Sequence, residues 1–224
     1  MRSLLYTAFL LVTFTGIAYP APKTHVIGFA KWTNIQWYIG PAEDQPITAK
    51  SRAIFVDGKS KEFTLGPPHE ITDRIFVVRR VLRINDALPQ ESAGAARWSW
   101  QPAGWLAVDR ATGHITPASL PDFDPFSSAA SWYRDHVAYC ALSDDGKKLE
   151  GLVVQLGRRK AVLKKVIGEA PAIGPDGAAC PAPDWDRKPM RVTFAPKGAD
   201  RLTYSIHARA METIKDEDDE EAKE

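Results

Sequence analysis

Sustained helical periodicity is the first thing this 224-residue chain lacks. No stretch keeps apolar residues at i, i+3 and i+4, so a helical architecture has no support. Local signatures of catalysis are missing too: there is no Gly-x-Ser-x-Gly elbow, Ser-x-x-Lys pair, phosphate loop or dinucleotide fingerprint. Their absence lowers the expectation of an enzyme. It leaves open carboxylate pairs of the glycosidase kind, whose members are distant in sequence. Histidine is scarce, and His25, His69, His114, His136 and His207 show no metal spacing. Asp135 and His136 are neighbours, which on a strand turns them to opposite faces and rules out a relay between them. No catalytic residue, metal ligand or cofactor is assigned.

Long apolar runs occur once. "MRSLLYTAFLLVTFTGIAYPAPK" places Arg2 before an uncharged run from Leu4 to Ala18, followed by small residues. That is the layout of a secretory signal peptide, and Gly16 and Ala18 satisfy the small-x-small rule for cleavage after Ala18. The run is short against the roughly 20 residues of a spanning helix, although an uncleaved anchor remains the alternative. No membrane span is expected after cleavage, and no cysteine near the cleavage site offers a lipid anchor. The chain is therefore expected in the periplasm or the medium. Cysteine usage agrees: Cys140 and Cys180 form an even pair in a chain bound for an oxidising compartment. Their disulfide, closing about 40 residues, is worth roughly 4 kcal/mol in the chain-entropy model.

Net charge is only +1, but it is unevenly spread. "METIKDEDDEEAKE" from Met211 carries eight acidic residues against two lysines, leaving the body before it basic. Such a run cannot bury its charges, so 211–224 is read as a disordered acidic tail. It is either solubilising or lies over basic patches such as Arg158–Lys165 or Arg79–Arg83. Between leader and tail, 19–210 reads as one domain, and the whole chain, with 44% hydrophobic and 25% charged residues, has enough apolar content for a substantial core. Two sub-sheets are expected to meet near 86–104.

Turn dipeptides punctuate β-branched runs throughout the body. Asp57-Gly58 bends "RAIFVDGKSKEFTLG", Ala111–Gly113 tips "GWLAVDRATGHITPAS", and Asp145-Gly146 turns "SWYRDHVAYCALSDDGKKLEGLVVQLG". Leu202, Tyr204 and Ile206 alternate with Thr203, Ser205 and His207, a period of two with one face buried and one wet. The fold class is all-β: antiparallel meanders of about ten to twelve strands, blade-like or in two packed sheets.

"YCALSDDGKKLEGLVVQLG" resembles a TolB-type propeller blade: a strand ending in Ser143, an Asp144-Asp145-Gly146 turn, two lysines and an apolar strand. The resemblance covers about 30 residues and implies a blade-like meander. No copy recurs at a fixed period of about 40 residues, as a closed propeller requires, and no characterised family matches the whole chain.

Two sets of side chains stand out as candidates. Asp144 and Asp145 suit a turn, whose backbone their side chains bond; Asp122 and Asp124 lie in a proline-punctuated loop, "LPDFDPF". Seven tryptophans is a high count, and "RWSWQPAGW" puts Trp98 and Trp100 on one face of a strand, with Trp105 beyond and Trp132 in "SWYRD". Such a row either stacks on sugar rings or a peptide partner or packs a small β core, with Arg97, Arg110 and Arg134 at hand for cation–π contacts. The leading expectation is a non-enzymatic binding or interaction module using Trp98, Trp100, Trp105 and Trp132, with a glycan or envelope protein as partner. The alternatives are an extracytoplasmic hydrolase or carbohydrate-active protein with converging carboxylates, and a structural envelope component. No nucleic-acid module is present.

Overall fold

A computed structural model describes residues 25–38, 46–85, 98–171 and 179–206, with the backbone of 211–213. The leader 1–18 and the acidic run 216–221 lie outside the described residues. Within them there is no helix. Fifteen strands occur: β1 (Ile27–Phe29), β2 (Thr33–Trp37), β3 (Ile47–Val56), β4 (Lys59–Glu70), β5 (Ile75–Asn85), β6 (Trp98–Asp109), β7 (Ile115–Pro117), β8 (Ser131–Tyr133), β9 (His136–Leu142), β10 (Lys148–Gln155), β11 (Leu163–Glu169), β12 (Asp184–Arg187), β13 (Met190–Phe194), β14 (Leu202–Ile206) and β15 (Met211–Thr213). The number exceeds ten to twelve because β1, β7, β8 and β15 are three residues each, too short to show alternation.

Every pairing is antiparallel, and three sheets result rather than two. The first runs β1-β3-β4-β5-β6-β7, with β2 also on β3; the second is β11-β10-β9-β8 and the third β12-β13-β14-β15. Among the described residues they close into neither a barrel nor a propeller. β5 and β6 pair from Ile75↔Asp109 to Asn85↔Trp98, so 86–97 joins two strands of one sheet. Residues 98–104 lie within β6, and the described sheets succeed one another across 118–130 and 170–183. Pairing of Ile206 with Met211 carries the third sheet past Ala210, three residues into the segment read as tail.

Local chemistry explains the hairpins. Asp57 (φ 51°) and Gly58 (φ 74°) form the two-residue β3–β4 loop, where both central residues need positive φ. The Asp57 carboxylate also accepts from the Val26 amide, tying down β1. Pro102 is tolerated inside β6 because β7 pairs only with Leu106–Val108, leaving an unpaired edge at the proline.

The second and third sheets pack face to face. Ala138, Cys140, Leu149, Val153, Leu163 and Ile167 meet Val192, Phe194, Tyr204 and Ile206 in one core. A Cβ at Gly151 would stand 3.1 Å from the Phe194 ring, so a larger residue there would have to push the ring back by a few tenths of an ångström. Cys140 and Cys180 are joined there, with Cα atoms 6.1 Å apart. The opposite face of the second sheet (Val137, Tyr139, Ala141, Leu152, Val154) is covered by Leu120, Phe123 and Trp132. Burial on both faces accounts for the unbroken apolar run "GLVV". β14 likewise departs from simple alternation: Ser205, expected to be wet, is buried between two paired neighbours, β13 and β15.

Candidate functional site

The four tryptophans share one face of the first sheet or its border, but they do not form one exposed row. Val81 pairs with Pro102 and Arg79 with Trp105, so Ala103 and Gly104 together oppose the single residue Arg80. This bulge inserts one residue and restores Trp105 to the face of Trp98 and Trp100, which strict alternation would deny it. Trp98 is 51% exposed. The Arg83 guanidinium lies 4.5 Å from its ring centroid and 6.0 Å from that of Trp100. Trp100 is half-buried, its ring edge-on to Phe63 at 5.1 Å. The same motif recurs on the opposite face, where Arg52 sits 3.9 Å from Phe29 and 4.2 Å from exposed Trp32.

Trp105 and Trp132 go elsewhere. Their rings meet edge-on at 5.4 Å, joining β6 to β8, and Trp132 stacks on His69 of β4 at 5.9 Å. Tyr133 in turn lies 5.8 Å from Trp185 of β12, whose indole N–H donates to the Ser131 carbonyl. Trp105 and Trp132 are therefore seams between sheets, and each buries its N–H without an acceptor among the described residues. Of the expected cation–π partners, Arg134 lies over Tyr133 at 5.4 Å and Arg110 over Phe76 at 4.5 Å. Arg97 lies outside the described residues. Of the residues in contact with exposed tryptophan, Arg83 was legible only as part of the basic stretch Arg79–Arg83 and Arg52 was not singled out, because cross-strand partners leave no local mark.

The β8–β9 turn corrects the reading of Asp135 and His136. Arg134 there has φ 52°, a conformation that usually falls to glycine. Its carbonyl accepts from His69 Nε2 at 2.9 Å, which places the hydrogen of His69 on that nitrogen. Because Arg134 and Asp135 lie in a turn, the side chains of Asp135 and His136 are not forced apart, and His136 Nδ1 donates to Asp135 Oδ1 at 2.9 Å. Asp135 Oδ2 accepts from Gln155 Nε2 at 2.8 Å.

Burial opposes ionisation of Asp135, but the Gln155 amide and His136 outweigh it and hold the carboxyl below its ordinary 3.8. The folded carboxylate thus keeps its charge to lower pH than the unfolded one. Its contribution is complete above about pH 4 and is lost as pH falls through the folded value. Asp135→Asn is expected to flatten the acid limb of Tm against pH; superimposable limbs would show that Asp135 has no part in it.

The four carboxylates considered for hydrolysis do not converge: three are engaged by separate partners, and Asp144 stands at an exposed turn. Lys164 Nζ bonds Asp122 at 2.9 Å and also reaches Glu150 at 3.1 Å. Asp124 accepts from the Phe126 amide and the Ser127 hydroxyl, capping its own loop. Asp145 accepts from the Ser143 hydroxyl and the Lys147 amide, and Asp144 is exposed at the same tip. No cluster of three or more His, Cys, Asp or Glu able to hold a metal occurs among the described residues. No helix among them is long and apolar enough to cross a membrane.

These features define an antiparallel all-β protein of three sheets, joined by aromatic seams and one disulfide, with tryptophan–arginine pairs on its surface. Compared with known proteins, the chain matches no protein-family model, no curated protein and no solved structure.

Proposed function

We propose that this chain is an exported, non-enzymatic binding module that contacts a glycan through Trp98, backed by Arg83. One observation carries the reading. Trp98 is half-exposed in a sheet that covers Trp100 and Trp105, and a guanidinium beside the ring holds it in place. A ring so presented offers an apolar face for a sugar, while the neighbouring cation supplies donors to hydroxyl or carboxylate oxygens. Export rests on the leader reading, with which the Cys140–Cys180 bond is compatible.

Acrylamide quenching of tryptophan emission against a glycan panel tests the proposal. One glycan is expected to protect a red-shifted, quenchable component. Trp98→Ala should remove that component and weaken binding roughly 30-fold, the loss of a hot-spot residue worth about 2 kcal/mol. A folded Trp98→Ala protein of unchanged affinity, or emission that no glycan protects, would refute it.

A further inference from the structure

Three turns far apart in sequence meet at one end of the sandwich formed by the second and third sheets. His136 pairs with both Tyr133 and Gln155, and the Leu156 amide donates to the Asp135 carbonyl. The β8–β9 turn and the β10–β11 turn therefore lie side by side. The third sheet adds the β12–β13 turn. Trp185 docks on Ser131 and Tyr133, so the chain reaches Arg187 and Lys188 beside the β8–β9 turn. The other end of β13 points away, because Phe194 covers Gly151 and Ala199 lies against Gly168.

Six exposed residues on these turns are cationic: Arg134, Arg158, Arg159, Lys160, Arg187 and Lys188. None makes an ion pair among the described residues, whereas Arg74, Arg80, Arg110, Lys148, Lys164 and Arg201 each hold a carboxylate. The acidic groups on the same turns are Asp135, engaged by His136 and Gln155, and the exposed Asp186. The display is anchored: directly after Lys160, Ala161 packs into the core on one face of the second sheet and Val162 into that on the other. Unpaired like charges on a fixed support raise the local potential and attract a counter-charged partner.

We propose that this end of the sandwich is a binding surface for a linear acidic polysaccharide, a polymer of repeating carboxylates. Four of the six cations are arginines, whose forks match carboxylates in bidentate fashion. Spread over three turns, they suit a ligand that repeats its charge. The large exposed apolar side chains (Val26, Trp32, Tyr38, Trp98, Phe126 and Val166) all lie off these turns. The surface thus offers neither the apolar face that buries into a membrane nor the aromatic platform that stacks single-stranded bases. The surface is separate from Trp98 and does not depend on it.

The test is titration of the full chain with fluorescent oligogalacturonate over a range of NaCl. Affinity is expected to fall with salt. Arg158→Gln/Arg159→Gln and, independently, Arg187→Gln/Lys188→Gln should each weaken binding at least ~5-fold and lower the log–log salt slope by about 1 to 2, as for lost counterion-releasing contacts. Lys147→Gln, at the other end of the second sheet, and Trp98→Ala should leave binding unchanged. Two exposed pairs on separate turns keep the outcome readable if one variant folds poorly. Absence of salt-sensitive binding, equal loss from Lys147→Gln, or tighter binding to phosphatidylglycerol vesicles or duplex DNA than to the polyuronate would overturn the proposal.

Discussion

Removing the Cys140–Cys180 bond, by reduction or by replacing both cysteines with alanine, is expected to cost about 4 kcal/mol of unfolding free energy. The bond closes 40 residues of chain, and the entropy withheld from the unfolded state by a loop of that size is worth about 4 kcal/mol. Position adds a second reason for a large effect. Both sulfurs are fully buried in the core between the second and third sheets, and the adjoining chain is clamped there. The Ala179 amide donates to the Ser127 carbonyl, and the Ser128 hydroxyl to that of Cys140. Among the described residues the third sheet is otherwise held chiefly by its apolar face and the Trp185 seam, so loss of the bond should loosen that sheet first. Urea unfolding with and without reductant measures the effect, and amide exchange on β13 and β14 locates it. A change below about 1 kcal/mol would mean that the sandwich core suffices without the bond.

Arg79→Met should cost about 2 kcal/mol and free the segment between β7 and β8. Arg79 is a largely buried guanidinium at the border of the first and second sheets; burial pulls its pKa down and Asp124 draws it back up. Its Nη2 donates to the Pro125 carbonyl, pinning the loop that covers one face of the second sheet. Methionine keeps most of the volume but none of the donors, and a hydrogen bond to a charged group is worth about 1.5–3 kcal/mol. The cost should stay below that of a broken buried ion pair, because Asp124 retains the Phe126 amide and the Ser127 hydroxyl. Chemical denaturation gives the magnitude, and limited proteolysis should show faster cleavage within 118–130. A variant as stable and as resistant as the parent would show that apolar contact alone seats the loop.

What could be read in the sequence was what adjacent residues decide. Alternation at Leu202–Ile206 and the turn residues Asp57-Gly58 and Asp145-Gly146 mark strands and hairpins, because strand direction and turn geometry depend on a few consecutive side chains. The cysteine pair was legible from its even count together with the expectation of export. Which strands share a sheet was not, since pairing β5 with β6 across 86–97 depends on contacts between distant residues. Face assignment failed wherever register slipped. The bulge at Ala103-Gly104 returns Trp105 to the face of Trp98, and the turn at Arg134 allows Asp135 to hold His136. Packing then separated tryptophans that composition could only count. Trp105 and Trp132 became seams because β6 and β8 come together, while Trp98 stayed exposed beside Arg83. The sequence by itself determined the class of structure, through local periodicity and turn chemistry. Only the tertiary structure decided which side chains face the solvent together, because that depends on register and on the meeting of sheets distant in the chain.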